Sequence, residues 1–318
     1  MDLSRELFVV WWSAVGLVVG SFLNVAIHRL PRAGESIAHP RRSRCPRCRH
    51  ALTWRENIPV FSFVLLRGRC RWCGGKISWR YPLVEVLTAV LWGYTAFRAV
   101  AGAGVGVEAG IGAEHWGLVL VQNAVLAGLV VATFVDFACF EIPDEVSIGG
   151  IVLAPIASLA VPALHGSTWI AGELSAGEGV DRLGALLGSL AGLAVGGGAL
   201  LAVGGLGKRV YGRDAMGLGD VKLLAAGGGF VGPGGALVAL LLASFVASAV
   251  GVIHILRFYA LSRARAHRRG SRKSRGRSLR VARAAGRYIP FGPYLGIGIG
   301  IVLLAWNDVA RFLTDDVF

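Results

Sequence analysis

The stretch WGLVLVQNAVLAGLVVATFVDFACFEIPDEVSIGGIVLAPIASLAVPAL, residues 116–164, decides the fold of this chain. It contains two apolar runs, Trp116–Val135 and Val146–Leu164, separated by ten residues that include two aspartates and two glutamates. Each run is close to the roughly 20 residues that a helix needs to cross a bilayer core of about 30 Å. We therefore predict two membrane-spanning helices joined by a short acidic connection.

Apolar runs recur along the whole chain. Of its 318 residues, 54% are hydrophobic and 46 are glycine, which is far from the usual composition of a soluble domain. The composition predicts an all-α polytopic membrane protein. The predicted spans are Leu7–Ile27, Leu83–Ala101, Trp116–Val135, Val146–Leu164, Leu183–Gly207, Val221–Val231, Ala236–Leu256 and Tyr288–Trp306.

The sixth predicted span, Val221–Val231, is too short to cross the bilayer alone at a rise of about 1.5 Å per residue. Basic residues lie both before it, at Lys208, and after the seventh span, at Arg257. Because basic loops stay on one side of a membrane, the chain must cross an even number of times between them. We predict a short helix and a return helix that are broken at Gly232-Pro233-Gly234.

The net charge of +14 is concentrated in two blocks of the sequence. Residues 28–82 hold thirteen Lys and Arg against two Glu, and residues 257–287 hold twelve against no acid. Cytoplasmic loops collect Lys and Arg, so both blocks predict the cytoplasmic side of the membrane. The second block is rich in Arg, Ser and Gly, which predicts a flexible linker or a surface helix. We expect contact with membrane lipids and no nucleic-acid partner.

Four of the five cysteines form two C-x2-C pairs, Cys45 with Cys48 and Cys70 with Cys73, while Cys139 stands alone. Two such pairs can hold a zinc ion tetrahedrally. Disulfides or free thiols are the alternatives, and the predicted reducing side favours metal. Four sulfur ligands leave no open coordination position, so we predict a structural zinc ion that helps a long polar loop to fold.

Ionisable residues in or beside membrane spans are costly, which makes Asp136, Asp220 and Glu85 functional candidates. A helix N-cap is the alternative explanation for Asp220, and for Asp144, next to Pro143, we expect a cap. A cap does not explain Asp136, because the predicted C-terminal end of a helix disfavours negative charge.

Asp136 and Asp220 are predicted at the same depth on separate spans. Two such carboxyl groups can share a proton and activate one water molecule, which is the chemistry of aspartic peptidases. Asp220, at the positive end of a helix, is expected to ionise more readily and to act as the general base. Asp136, at a negative end, is expected to hold the proton as the initial acid.

Taken in their order along the chain, these motifs resemble the bacterial type IV prepilin leader peptidases. The resemblance extends from the first predicted span to the last. It is carried by GSFLNVAIHRLP at Gly20–Pro31, the two C-x2-C pairs, NIPVFSFVLLRGRCRWCGGKISWRYPLVE at Asn57–Glu85, the D-x5-IPD segment from Asp136, GLGD ending at Asp220, and IPFGPYLGIG from Ile289.

The resemblance implies that Asp136 and Asp220 are the catalytic pair of a membrane aspartic endopeptidase. Its implied substrates are type IV prepilins or pseudopilins, cleaved after a glycine that ends a short basic leader. In many members S-adenosylmethionine then N-methylates the new N-terminus. The resemblance also implies a multi-pass protein of the bacterial inner membrane. Asn24, Arg29, Asn57, Tyr81 and Glu85 match the family pattern too, but the sequence does not show where S-adenosylmethionine binds.

The predicted fold class is thus an all-α polytopic membrane protein with about eight transmembrane helices and a zinc-stapled cytoplasmic loop. Its predicted parts are a first transmembrane helix (1–27), a methylation-associated cytoplasmic zinc-binding loop (28–82), a membrane peptidase core (83–256), an Arg-rich cytoplasmic linker (257–287) and a last transmembrane helix with a tail (288–318).

Two other functions are compatible with parts of the pattern. A proton- or metal-coupled transporter with a zinc-sensing loop would need a polar pathway through the membrane. A scaffold without catalysis, for a pilus or secretion apparatus, would tolerate the loss of Asp136 or Asp220. The predicted clustering of the acids at one membrane face favours the peptidase.

Overall fold

The computed structural model describes residues 3–32, 34–38, 42–102, 113–165, 180–212, 216–268 and 290–315. Across these ranges the chain is helical and contains no named strand, which confirms the all-α prediction. The helices are α1 Leu3–Arg29, α2 Phe61–Leu65, α3 Arg80–Gly102, α4 Ala113–Cys139, α5 Asp144–Ala160, α6 Arg182–Tyr211, α7 Leu218–Arg268 and α8 Gly292–Asp315, with 3-10 turns at Trp54–Glu56 and Pro162–His165.

Five of these helices are long and apolar enough to cross a membrane. The apolar part of α8 is shorter, and α5, which corresponds to the fourth predicted span, has 17 residues. The five qualifying segments are Arg5–Arg29, Arg80–Ala101, Trp116–Cys139, Arg182–Val210 and Leu218–Leu261.

Helix α7 is a hairpin of two helical arms rather than one rod. Gly232 has φ 75° and ψ 173°, a conformation outside the helix, and Pro233 follows it at the start of the second arm. An added Cβ at Gly227 would lie 2.5 Å from Ile299, and one at Gly298 would lie 2.3 Å from the carbonyl of Ala239. Gly227, before the break, and Ala239, after it, therefore contact neighbouring residues of α8. This confirms the predicted break and the return helix.

The second arm of α7 continues well beyond its predicted end at Leu256. It remains helical to Arg268, so the first part of the predicted Arg-rich linker is helix. Residues 269–289, which hold the rest of that predicted linker, lie outside the described residues.

Glycines set the packing distance between α6 and the first arm of α7. A Cβ added at Gly192 would lie 2.0 Å from the carbonyl oxygen of Gly228, and one at Gly196 would lie 2.5 Å from that of Leu224. Small residues four apart allow two membrane helices to approach until their backbones touch. This contact fixes the start of α7, and with it Asp220, against the bundle.

Helices α1 and α3 form a second closely packed pair of helices. Gly20 faces Glu85, because an added Cβ at Gly20 would lie 2.7 Å from the Glu85 Cα. One turn further along, the Asn24 side-chain amide donates a hydrogen bond to the backbone carbonyl of Tyr81 at 3.0 Å. The cysteine loop, residues 28–82, connects the ends of these two helices.

Candidate functional site

Asp136 and Asp220, which are 84 positions apart in the sequence, line one cavity of about 660 Å³. Asp136 lies in the last turn of α4 and is 5% exposed, while Asp220 lies in the first turn of α7. The two carboxyl groups are near enough to act on each other electrostatically. The fold thus brings together the two aspartates that the sequence analysis selected. Asp136 is at the C-terminal end of its helix, and Asp220 is at the N-terminal end of its helix.

The start of α8 closes the cavity around Asp136. An added Cβ at Gly292 would lie 2.6 Å from Oδ2 of Asp136 and 2.9 Å from Ile142. Oδ2 of Asp136 is buried, and within the described part of the chain no side chain donates to it; the backbone N–H of Gly292 is the donor that lies beside this carboxyl group. A buried carboxyl group with a single backbone donor keeps acceptor capacity for a proton or a water molecule.

The connection between α4 and α5 folds back over the two aspartates. Phe140 adopts a positive φ of 58°, and its N–H donates to the carbonyl of Asp136 at 2.9 Å, which ends α4. Ile142 then packs on the backbone of Gly219, at 3.3 Å from an added Cβ. This turn explains why the acidic connection lies beside the start of α7.

In the part of the chain that the structure describes, three further acids, Glu141, Asp144 and Glu145, and one lysine, Lys222, line the same cavity. The expectation that Asp144 is a helix cap is wrong, because Pro143 is the N-cap of α5. Asp144 instead pairs with Lys222 of α7. The cap alternative for Asp220 also fails, since it lies inside the first turn of α7 rather than before it. Among the described residues, five acids against one lysine give this cavity a negative field.

The four cysteines of the loop converge as predicted. The sulfur atoms of Cys45, Cys48, Cys70 and Cys73 all lie within 4.8 Å of one another, and those of Cys45 and Cys73 are 3.9 Å apart. Zinc–sulfur bonds of about 2.3 Å in a tetrahedron separate the sulfurs by roughly 3.8 Å. The donor set therefore fits a zinc ion, and Cys139, at the end of α4, is not part of the cluster.

Each C-x2-C pair is held by the same backbone turn. The N–H of Cys45 donates to the carbonyl of His50, and the N–H of Cys70 donates to that of Gly75, at 2.9 and 2.8 Å. Arg49 and Gly74 occupy equivalent positions with φ values of 57° and 65°. The loop therefore presents two copies of one backbone turn, each carrying a C-x2-C pair.

Glu85 does not join the two aspartates. It lines a second cavity of about 1010 Å³, between the ends of α1 and α3 and the cysteine loop. Asn24, Arg29, Asn57 and Tyr81 line the same cavity. One cavity thus contains all five of the residues that match the family pattern but had no role assigned from the sequence.

Sequence reasoning missed several residues of both cavities. Gly292 and Lys222 received no role, although Gly292 lies inside the quoted segment IPFGPYLGIG. The sequence did contain a signal, because Gly292 lies between Pro290 and Pro293 at the start of a helix. A glycine in such a position can allow another segment to approach the backbone closely. Lys222 is unremarkable in sequence, because its partner Asp144 is 78 positions away.

Two family models match the chain. The model described as the type IV leader peptidase family matches residues 124–252, the range that contains Asp136 and Asp220. The model described as the bacterial peptidase A24 N-terminal domain matches residues 14–99, the range that contains the four clustered cysteines. No solved structure matches the chain.

Several curated relatives carry the name prepilin leader peptidase/N-methyltransferase. The chain is 39% identical to the Myxococcus xanthus relative over 79% of its own length and 64% of the relative's, just under two thirds of that protein. It is 32% identical to the Aeromonas hydrophila relative over 97% of its length and 95% of the relative's, and 32% identical to the Pseudomonas aeruginosa relative over 95% and 91%. The family predicted from the motifs is thereby confirmed, and the chain belongs to the type IV leader peptidase family.

Proposed function

We propose that this chain cleaves the leader peptide from type IV prepilin or pseudopilin precursors by aspartic peptidase chemistry, using Asp136 and Asp220. The observation that carries the proposal is the shared cavity, in which two carboxyl groups meet at the ends of α4 and α7. The names of the relatives support the substrate class. Residues of a transport pathway would be spread through the membrane, whereas these acids line one cavity.

The proposed reaction uses both carboxyl groups in different protonation states. Asp220, in the first turn of α7, is favoured as the ionised base because a helix N-terminus stabilises negative charge. It takes a proton from the attacking water, while protonated Asp136 donates one to the oxygen of the scissile carbonyl. The tetrahedral intermediate then collapses: Asp220 gives its proton to the leaving amine as the carbon–nitrogen bond breaks, and Asp136 takes one back from a hydroxyl group of the intermediate as the carbonyl re-forms. Each cycle consumes one water and returns the pair to its starting state.

The substrate is proposed to enter as a membrane-inserted helix with a basic leader on the cytoplasmic side of the bacterial inner membrane. The acids Glu141, Asp144 and Glu145 around Asp136 and Asp220 suit a leader that carries Lys or Arg. The basic cysteine loop and the Arg-rich segment are proposed to lie on that same side, in contact with anionic lipids.

A second activity is proposed from the names of the relatives: N-methylation of the new amino terminus. S-Adenosylmethionine would supply an electrophilic methyl group. A zinc ion held by Cys45, Cys48, Cys70 and Cys73 would be structural, because four thiolates leave no position open for a substrate.

The test is an assay of purified protein in detergent or liposomes with a prepilin that carries its leader. Mass spectrometry follows leader release and the methyl mass shift for the wild type, Asp136→Asn and Asp220→Asn. We expect cleavage by the wild type alone, with each variant reduced by about 10⁴-fold or more. Cleavage that survives both substitutions would refute the peptidase proposal and return attention to a transporter or a scaffold.

A further inference from the structure

The short helix α2 of the cysteine loop has its apolar face on the outside. Its inner side, which includes the hydroxyl-bearing Ser62 and Phe63, lines the cavity between the loop and the ends of α1 and α3. Its outer side consists of three exposed apolar residues at positions i, i+3 and i+4 of one helix face, Phe61, Val64 and Leu65. A loop helix in water turns such a face inward, so this face predicts an apolar partner.

Helix α2 is attached to the start of α3 at two points. The N–H of Val60, the N-cap of α2, donates to the carboxylate of Glu85 at 2.7 Å. The ring of Phe63 contacts the ring of Trp79, and their centroids are 4.8 Å apart. Val60 has a φ of 60°, which is unfavourable for a β-branched residue and persists only where surrounding contacts enforce it. The outer face of α2 is therefore held in a defined place beside α3.

Helix α3 carries a stripe of exposed apolar side chains along one side. Because residues Arg80–Ala101 form a candidate membrane span, this stripe faces the acyl chains of the lipid. Its members lie three or four positions apart and are Leu83, Val86, Leu87, Val90, Tyr94 and Phe97.

Trp79 extends the lipid-facing stripe of α3 by one turn. The N–H of Leu83 donates to the carbonyl of Trp79 at 3.1 Å, which places the two residues on the same side. Trp79 is exposed, and tryptophan is enriched where a span meets the membrane–water interface. Since Phe63 of α2 lies against Trp79, the outer face of α2 continues the lipid-facing surface of α3.

The sequence around α2 and Trp79 is basic. Residues 57–84 hold five Lys and Arg and neither Asp nor Glu. Two of these, Arg67 and Arg69, follow α2 directly and are exposed. Exposed apolar and Trp side chains next to Lys and Arg are typical of segments that lie in the headgroup layer of anionic lipids.

We propose that the cysteine loop docks on the lipid bilayer through one surface, the loop face, which consists of Phe61, Val64, Leu65 and Trp79. These four side chains enter the headgroup layer around α3, and the arginines after α2 lie beside anionic lipid phosphates. The loop face thereby holds the cysteine loop at a fixed height on the membrane. The inference deepens the lipid contact proposed above and rests on the proposed side of the loop, but it does not depend on leader cleavage or methylation.

A lipid surface suits the loop face better than a protein does. A second copy of the chain would bring an identical basic segment, and the two sets of Lys and Arg would repel each other. A soluble partner would have to enter the headgroup layer, because the loop face continues the lipid-facing stripe of α3. Anionic headgroups meet both requirements, since they attract the basic residues and lie beside apolar chains.

Hydroxyl-radical footprinting of the full chain in nanodiscs of anionic phospholipid tests the proposal. Trp79 and Trp72 are a matched pair, because both are exposed tryptophans of the cysteine loop, at 76% and 61%. Trp72 is outside the loop face, and its ring centroid lies 4.0 Å from that of His50. Exposure alone predicts faster oxidation of Trp79. We expect it to be at least about tenfold slower than that of Trp72, since the headgroup–acyl boundary excludes water. Equal rates, or equal protection of both, would overturn the proposal.

The double change Val64→Asp with Leu65→Asp places two carboxylates on the loop face. We expect the oxidation of Trp79 to rise to about the rate of Trp72, because charged groups do not enter the apolar layer. Protection of Trp79 that persists in this variant would contradict docking through α2. Bound zinc verifies that the loop is folded.

Trp54→Asp is the matched control for the double change. Trp54 is an exposed apolar residue of the same loop, in the 3-10 turn before α2 and outside the loop face. The control introduces the same acid, so we expect it to leave the oxidation rate of Trp79 at the wild-type value. An equal rise in the control would mean that an acid anywhere loosens the loop, which would count against the loop face.

Photocrosslinking identifies what covers the loop face. With p-benzoylphenylalanine in place of Leu65, irradiation in the nanodisc should add the mass of a phospholipid to the peptide that contains position 65. A crosslink to another segment of this chain or to a second copy would overturn the proposal. Leader cleavage is measured in the same nanodiscs. If cleavage proceeds while the loop face is open to water, this inference alone fails, and if the face binds lipid but no leader is cleaved, the peptidase proposal alone fails.

Discussion

Gly292 of α8 leaves no room for a side chain beside Asp136 of α4, because a Cβ at Gly292 would lie 2.6 Å from the carboxyl oxygen Oδ2. The same Cβ would meet Ile142 at 2.9 Å, so the carboxyl group is confined between α8 and the turn that follows α4. The position of the Asp136 carboxyl group therefore depends on a residue that has no side chain and that contributes only its backbone N–H.

Gly292→Ala is expected to lower kcat for leader cleavage by roughly 100-fold, since a displacement of about 1 Å in a catalytic group can cost that much. The added methyl must push the Asp136 carboxyl group aside or move the start of α8. Initial rates with a leader peptide, measured above and below KM, check the effect.

Gly300→Ala is the control for that prediction. It lies on the same helix, and its added Cβ would meet only Leu126 at 3.8 Å, an ordinary contact distance. We expect its kcat to equal that of the wild type. A Gly292→Ala protein that is folded and fully active would mean that the reaction does not need the confined carboxyl group.

The acidic lining of the peptidase cavity predicts a salt-dependent KM for basic leaders. Glu141 and Glu145 are exposed in this cavity, so a double change to Gln should raise KM about threefold while kcat stays near the wild-type value. The effect should vanish in about 1 M salt, where the Debye length is about 3 Å.

The control for the acidic lining is Glu6→Gln, an exposed acid at the opposite end of α1 from this cavity. A leader in which Lys and Arg are replaced by Gln provides a second comparison. The double variant should process that neutral leader as the wild type does. An equal rise in KM for neutral and basic leaders would show that the two glutamates act through structure instead of charge.

The cysteine cluster predicts one zinc ion per chain. Cys70→Ser removes one of the four ligands, so we expect loss of bound zinc by mass spectrometry and rapid proteolysis within residues 28–82. Cys139→Ser should keep its zinc, since Cys139 lies outside the cluster. A wild-type protein that is purified without metal under reducing conditions and yet resists proteolysis would contradict a structural role for zinc.

Much of this fold could be predicted because its determinants are local. Apolar length predicted most of the helices, and the charges on either side predicted the short sixth span. Gly232-Pro233 marked the reversal inside α7, where the φ of Gly232 is 75°. The cysteine cluster followed from spacing, because each C-x2-C pair forms its own backbone turn. The pairing of Asp136 with Asp220 rested on equal predicted depth and on the family resemblance.

The parts that escaped prediction depend on contacts between distant segments. Asp144 was expected to cap its own helix, but its carboxylate forms an ion pair with Lys222 of α7. No local sequence pattern connects these two residues. Val60 has a strong preference for extended structure, and only Glu85, 25 positions away, shows why its φ is positive. The cavity that Asn24 and Glu85 share likewise exists only after α1 packs against α3.

The contact between α6 and α7 predicts a strong effect on stability that is independent of catalysis. In Gly192→Ala the new Cβ would lie 2.0 Å from the carbonyl oxygen of Gly228, a backbone atom that cannot rotate away. The helices must separate, so we expect the unfolding temperature in detergent to fall by several degrees or the protein to be lost on expression. Gly228→Ala should have the same effect, because its Cβ would lie 2.3 Å from the Gly192 carbonyl oxygen.

The control for this prediction is Gly198→Ala, on α6, where nothing lies within 4 Å of the added atom. It should leave the unfolding temperature unchanged or slightly raised. Equal stability of all three variants would mean that α6 and α7 do not approach to backbone contact, and the first turn of α7, with Asp220, would lose the support that aligns it with Asp136.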